Sequence, residues 1–169
     1  MKTAFIGLGS NLGDSLFVLQ NAWTSLGKDA RIDLLNLSSP YRTEPVGMSA
    51  NRWFINAAGM LKTSLSPKEL LDCLINTEQQ FGRERIPGQQ GYQDRILDLD
   101  LLLYDQQVLA GGRLVIPHPE MHKRLFVLYP LNEIAPDFRH PILKKTVSEL
   151  LSDKVCDPEC YEVEKNIWP

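Results

Sequence analysis

Basic charge is what this chain has little of. Its 169 residues carry 18 Lys and Arg against 21 Asp and Glu, for a formal net charge of −3. A general binder of nucleic acid or anionic membrane carries a basic surplus, so neither partner is expected and any anion site has to be local. Long apolar runs are absent too. No stretch approaches the roughly 20 residues of a membrane helix, and the N-terminus lacks a signal-peptide pattern. Cysteine is scarce: Cys73, Cys156 and Cys160 are odd in number and lack the paired spacing of a zinc site. Reduced thiols in a cytoplasmic protein are the expectation, with Cys156–Cys160 pairing under oxidation the minor alternative. Repeats, linkers and low-complexity segments are missing as well. What remains is 43% hydrophobic and 23% charged, the composition of a soluble globular protein with one domain over residues 1–169 and a real core.

The most informative stretch runs from Arg95 to Tyr104, Arg-Ile-Leu-Asp-Leu-Asp-Leu-Leu-Leu-Tyr. It reads as a buried strand containing two carboxylates. Side chains alternate faces along a strand, so Asp98 and Asp100 share one face with Ile96, Leu102 and Tyr104. Leu97, Leu99, Leu101 and Leu103 fill the other. Strands disfavour Asp, and two buried carboxylates on one face repel each other. A divalent cation with oxygen ligands, such as Mg²⁺, offsets both costs. The alternative is a solvated face with Arg95 as a surface partner.

Taken in order, the chain begins with an apolar strand, Thr3 to Leu8, ending in a glycine-bearing Gly7 to Gly13 segment that suits either turn chemistry or a phosphate. A helix follows from Asp14 or Ser15 to Gly27, with Leu16, Leu19, Trp23 and Leu26 at helical spacing. Ile32 to Leu37 and Trp53 to Thr63 read as strands, separated by an extended arm and loop at Pro40 to Gly47. In the second of these strands Trp53, Ile55, Ala57, Gly59 and Leu61 share a face, and Phe54, Asn56, Ala58 and Met60 the other. An Asn beside an aromatic suits a flat heterocycle, or only a local hydrogen bond. Ser66-Pro67-Lys68-Glu69 opens a helix with a capping box, and Gly82 ends it. Glu78 falls near that helix's apolar stripe. Arg83, Arg85 and Arg95 bracket a polar, glycine-bearing loop, either a polyphosphate clamp or a solvated charged loop. Pro117 and Pro119 fix His118 in extended backbone. Phe126, Val127, Leu128 and Leu131 look helical and buried, and Thr146 to Glu149 is a further capping box. Residues beyond Asp153 carry little signal. The order strand, helix, strand, strand, helix, strand predicts an α+β, ferredoxin-like βαββαβ core. Its antiparallel sheet is packed by helices on one face, with C-terminal additions covering further surface.

The chain resembles the 6-hydroxymethyl-7,8-dihydropterin pyrophosphokinases of folate synthesis over residues 3 to about 141. The resemblance rests on an ordered set: Gly9 to Gly13, Tyr41 to Pro45, Phe54 to Ala58, Gly82-Arg83, Arg95 to Asp100, Pro117 to Pro119, Arg124 to Leu128 and Glu133 to Pro136. It implies that the pterin hydroxymethyl oxygen attacks the β-phosphorus of ATP, so that pyrophosphate is transferred and AMP leaves. By the same resemblance Asp98 and Asp100 hold two Mg²⁺ ions on the triphosphate. Arg83 and Arg95 neutralise charge as the bond to the leaving oxygen breaks. Glu78, Arg85, Tyr92, Arg113, His118 and Arg124 stand on the ATP side. Thr43, Pro45, Val46, Gly47, Phe54, Asn56 and Phe126 match the pterin pocket, with Phe54 and Phe126 sandwiching the ring and Asn56 reading its amide-like edge. Small-molecule substrates and a monomer are the partners and state implied. The segments Glu44 to Arg52 and Arg83 to Tyr92 are expected to close over the substrates.

The chain departs from the family pattern just before Arg95. A basic residue and small residues or proline are common there, where this chain has Gly91, Gln93 and Asp94. Asp94 is expected to bring a negative charge next to a phosphate site. Two other classes stay open on the residues alone: a different metal-dependent phosphoryl or nucleotidyl transferase, and a non-catalytic ligand-binding domain of the same fold. Product identity separates the first from the leading reading, and the effect of removing the Asp pair separates the second.

Overall fold

The computed structural model describes residues 1–44, 52–83, 94–155 and 163–169. Strand β1 (Lys2–Ser10) leads through a tight turn into helix α1 (Ser15–Leu26). The Asp14 carboxylate caps α1 by accepting from the Phe17 amide at 3.1 Å. Strands β2 (Ile32–Leu37), β3 (Tyr41–Thr43) and β4 (Phe54–Thr63) follow, then helix α2 (Pro67–Gln80). The expected capping box opens α2: the Glu69 carboxylate accepts from the Ser66 amide at 2.8 Å, and the Ser66 hydroxyl accepts from the Glu69 amide. Strand β5 (Asp98–Tyr104) carries the aspartates, and the small hairpin of β6 (Leu109–Gly111) and β7 (Leu114–Ile116) comes next. A single 3₁₀ turn at Met121–Lys123 precedes helix α3 (Leu125–Ile134), and helix α4 (Val147–Val155) starts at the second capping box.

The sheet runs β5-β1-β4-β3, with β2 also pairing with β4, and every pairing is antiparallel. Leaving out β3, the order β5-β1-β4-β2 is that of a split βαβ, ferredoxin-like core. Alternation along β1 decides what each face buries. Ala4, Ile6 and Leu8 meet Leu19, Ala22, Trp23 and Leu26 of α1 and Leu70 and Leu74 of α2. Gly59 of β4 makes room for this packing, since a Cβ there would lie 2.2 Å from the Trp23 ring. Phe5 points the other way, toward Met121, Val127, Leu131 and Val147. The sheet is therefore covered on both faces, by α1 and α2 on one side and by α3 and α4 on the other. The additions are a full second layer, because the carboxylate-bearing face of β5 also carries aliphatic residues that need a cover.

Two further departures from the sequence reading have physical causes. Strict alternation along β5 fails at a bulge opposite Phe5 and Ile6, where the partner of Phe5 is Leu103 and that of Ile6 is Leu101. The inserted residue resets the pleat. Leu103 therefore joins Leu102 in the α3-side core, and Tyr104 crosses to the α1/α2 side and donates to the Leu65 carbonyl. The tail beyond Asp153, which carried little signal, completes α4 and returns as strand β8 (Val163–Lys165). It pairs with β3 on the side away from β4. Trp168 anchors it, donating from Nε1 to the Ser38 carbonyl at 2.8 Å. Three residues without a clear alternation are invisible as a strand until an open sheet edge supplies their partner. Among the described residues no helix is long and apolar enough to cross a membrane.

His140 is 4% exposed, and its Nδ1 accepts from the amides of Ile142 and Leu143, each at 3.2 Å. Burial, helped by nearby His122, pushes its pKa down from 6.5 to about 4. The unfolded chain therefore binds the proton first. Stability is full above pH 6.5 and falls as the pH drops toward 4. Urea titrations across this range are expected to show that slope in the wild type and a flatter one in His140→Asn, which keeps an acceptor but does not titrate. Equal slopes would remove His140 from the acid transition.

Candidate active site

The site lies where the central strands end. Gly9 of β1 is paired with Asn56 of β4 on one side and Asp98 of β5 on the other. The glycine-bearing segment read as a turn or phosphate loop is thus still strand at Gly9, and its missing side chain matters for another reason. A Cβ there would sit 3.0 Å from Asn56 Oδ1 and 3.9 Å from the Asp98 side chain. Gly9 keeps open the floor of a cavity of about 390 Å³. Thr43, Glu44, Phe54, Asn56 and Phe126 line it on one side, and Glu78, Arg83, Arg95, Asp98, Asp100, His118 and Arg124 on the other.

The first wall is mostly uncharged. Asn56 is 7% exposed, and its Nδ2 donates to Thr43 Oγ1 at 2.8 Å. That bond fixes the amide orientation and leaves Oδ1 as the acceptor beside Gly9. Phe54 comes from the start of β4 and Phe126 from the first turn of α3, the helix that covers this face of the sheet. Thr43 is held in the short β3, which is paired on both sides, by β4 and by β8. Glu133 at the far end of α3 ties the same segment down, accepting from the Ser39 amide at 3.0 Å and the Tyr41 hydroxyl at 2.8 Å.

The second wall is ionic. β5 is an edge strand of the sheet, so half of its backbone groups need partners outside it. The Glu78 carboxylate takes the Leu99 amide at 2.8 Å, and the Leu102 carbonyl accepts from the His118 amide at 2.9 Å. Glu78 is 1% exposed and also pairs with Arg83. Asp98 sits between two guanidinium groups: Arg83 pairs with its Oδ1, and Arg95 Nη1 lies 2.7 Å from its Oδ2. Burial, together with the neighbouring Asp98 carboxylate, pushes the Asp100 carboxyl above the usual carboxylate range against the pull of His118, Arg124 and Arg95. Burial lowers the His118 pKa, with Asp100 opposing. The Glu120 amide donates to His118 Nδ1 at 3.2 Å, so a neutral His118 carries its proton on Nε2.

The structure gathers Thr43, Phe54, Asn56, Glu78, Arg83, Arg95, Asp98, Asp100, His118, Arg124 and Phe126 around this one cavity. Arg113 is not brought there. It lies exposed in the turn between β6 and β7, away from the residues that line the cavity. Pro45, Val46, Gly47, Arg85 and Tyr92, with Gly91 and Gln93, lie outside the described residues. Two contributors escaped sequence reasoning. Gly9 spaces the two walls, and only strand register reveals that it sits between Asn56 and Asp98. Asn11 braces the backbone of Arg95 from 84 positions away, through its Oδ1 at 2.8 Å from the Arg95 amide. The Asn in the Gly9 to Gly13 segment was the only signal for it.

Among the described residues no group of three or more His, Cys, Asp or Glu converges as a metal cage. The two aspartates nonetheless fit Mg²⁺, which characteristically takes one or two carboxylates and fills its remaining positions with water and substrate phosphate oxygens. A resident zinc is a poor match to an all-oxygen pair of this kind.

Comparison with known proteins bears on the same elements. The family model described as 7,8-dihydro-6-hydroxymethylpterin-pyrophosphokinase matches residues 5–136, which takes in every described residue that lines the cavity. The 2-amino-4-hydroxy-6-hydroxymethyldihydropteridine pyrophosphokinase of Synechocystis sp. is 43% identical over 166 residues, covering 98% of this chain and 79% of the relative. The enzyme of the same name from Haemophilus influenzae is 37% identical, covering 92% of this chain and 97% of its own. Among solved structures, the wild-type HPPK-DHPS of Plasmodium falciparum with STZ-DHP superposes with a TM-score of 0.71 at 16% identity, over 91% of this chain and 43% of that longer one. At that identity the superposition speaks for the fold alone, and it agrees with the ferredoxin-like core. With a family match over most of its length and relatives this similar over nearly all of it, the chain belongs to the 7,8-dihydro-6-hydroxymethylpterin-pyrophosphokinase family.

Proposed function

We propose that the chain, acting as one domain over residues 1–169, transfers pyrophosphate from ATP to the hydroxymethyl group of 6-hydroxymethyl-7,8-dihydropterin and releases AMP, a step of folate biosynthesis. The observation that carries this reading is the division of one cavity into an aromatic and amide wall and an ionic wall, only a glycine apart. A flat, hydrogen-bonding heterocycle fits the first, and a triphosphate the second. In the reaction the hydroxymethyl oxygen loses its proton as it bonds to the β-phosphorus, and the bond from that phosphorus to the oxygen bridging to the α-phosphate breaks.

The residues divide the work accordingly. Phe54 and Phe126 hold the pterin ring between them, and Asn56 Oδ1, fixed by Thr43, accepts from its polar edge. Asp98 and Asp100 supply the protein oxygens for Mg²⁺ arriving with ATP, and we assign two ions to this pair. Bound there, Mg²⁺ would supply charge neutralisation on the phosphate oxygens and orientation of the transferred group. Arg83 and Arg95 exchange their pairing with Asp98 for phosphate oxygens, and so neutralise the charge that develops on the leaving oxygen. His118 from Nε2 and Arg124 add donors to the phosphates. Glu78 holds Arg83 and the Leu99 amide together, which keeps the arginine at the mouth of the strand. A cytoplasmic monomer is the form in which we place the enzyme.

Two measurements test these roles. The double variant Asp98→Ala with Asp100→Ala is expected to fold, by circular dichroism and thermal melting, and to lose turnover by about a thousandfold or more. Turnover is read as AMP formed together with pyrophosphorylated pterin, and near-normal turnover removes the metal role. Arg95→Ala is expected to lower kcat about a hundredfold while pterin binding, measured by fluorescence titration, stays within about twofold. A lower melting temperature with unchanged kcat per folded molecule makes Arg95 structural instead.

A further inference from the structure

Asp94 is where the chain departs from its family beside the reacting phosphates, and the structure gives its charge a different destination. Asp94 Oδ1 accepts from Asn11 Nδ2 at 2.7 Å, and Oδ2 lies 3.7 Å from Arg52 Nη1. Asn11 is 8% exposed and engages the next residue twice: its Oδ1 accepts from the Arg95 amide at 2.8 Å, and its own amide donates to the Arg95 carbonyl at 3.1 Å. Through these bonds the end of β1 reaches across to the approach to β5, past the last paired residues of the ladder.

We propose that Asp94 is a positioning residue for Arg95, acting through the side-chain amide of Asn11. The proposal rests on the reading of Arg95 as the group that meets the triphosphate. An Asn side chain has a donor end and an acceptor end, and flipping it exchanges them. Flipped, Asn11 would set its NH₂ against the Arg95 N–H, donor against donor. A carboxylate accepts only, so Asp94 admits only the orientation in which Nδ2 faces it and Oδ1 faces Arg95. The Asp94 contact is charge-assisted and short, whereas the Arg52 pair is long and lies between side chains 62% and 35% exposed. The Asn11 contact is therefore the one that matters, and Arg52 mainly screens the charge. Arg95 in turn has its side chain 20% exposed and pairs with Asp98 at 2.7 Å, so a loosened backbone at residue 95 displaces a guanidinium that has to reach a defined point.

The test is a double-mutant cycle on the full chain with ATP, Mg²⁺ and the reduced pterin. Asp94→Ala is expected to lower kcat roughly five- to tenfold, with pterin binding within about twofold of wild type. Asp94→Asn, whose carbonyl can still accept from Asn11, is expected to recover most of that loss. In an Arg95→Ala background, Asp94→Ala is expected to cost nothing further, because the residue it positions is gone. The proposal is overturned if the loss from Asp94→Ala persists undiminished beside Arg95→Ala, if Asp94→Asn is no better than Asp94→Ala, or if Asp94→Ala matches wild type in kcat. An Arg95→Ala enzyme with wild-type turnover is a different outcome, which removes the role of Arg95 itself and this inference with it.

Discussion

The ionic wall depends on one carboxylate between two guanidinium groups. Asp98 sits at the start of an edge strand, next to a second aspartate, and each would be costly there alone. Arg83 and Arg95 meet its two oxygens from opposite sides of the sequence gap, one from the end of α2 and one from the approach to β5. Each arginine is held in turn. Glu78 pairs with Arg83 and also satisfies the strand's Leu99 amide, and Asn11 brackets the Arg95 backbone. The charge of the site is thus nearly balanced before any substrate arrives. A polyanion with its cations can exchange with these pairs without leaving a naked charge in a half-buried place, which would cost several kcal/mol.

The uncharged wall is organised by backbone register. Asn56 and Asp98 belong to different strands and different chemistry, yet both are direct partners of Gly9. The Asn56 and Asp98 backbones therefore stand close to twice the interstrand distance apart, about 10 Å, a dimension set by the hydrogen-bond ladder. Helix α3 completes both walls at once, with Arg124 at its N-cap and Phe126 in its first turn. Its other end is clamped through Glu133 to β3 and to Lys165 of β8.

Much of this was legible in the residues. The paired aspartates stood out because strands exclude them, and the capping boxes at Ser66 and Thr146 located two helix starts because they are local chemistry. The face shared by Phe54 and Asn56 followed from alternation, which holds in β4. What could not be read depended on partners far away in sequence. β8 becomes a strand only because β3 offers an open edge. Glu78 looked like a residue near an apolar stripe, and its use as the acceptor for an edge-strand amide required knowing which strand lay at the edge. Asp94 looked like a charge facing phosphate, and its bond to the Asn11 amide depends on a residue 83 positions away. The C-terminal helices were expected to cover further surface, and that this surface is the second face of the sheet was not readable for a related reason. Alternation marks one face of a strand as apolar, and β5 is apolar on both faces beyond its first three residues.

The bulge in β5 divides that strand into halves that answer to different neighbours. Ahead of it, the pleat presents Asp98 and Asp100 to the cavity and Leu97, Leu99 and Leu101 to the α1/α2 core. Beyond it, the frame is reset, and Leu102 and Leu103 both pack beneath α3 while Tyr104 reaches Leu65 on the far side. Without the extra residue, continued alternation would bring Leu103 and Tyr104 to the opposite layers. One irregular residue thus lets a short strand serve as a ligand scaffold at one end and as a rivet between two helical layers at the other.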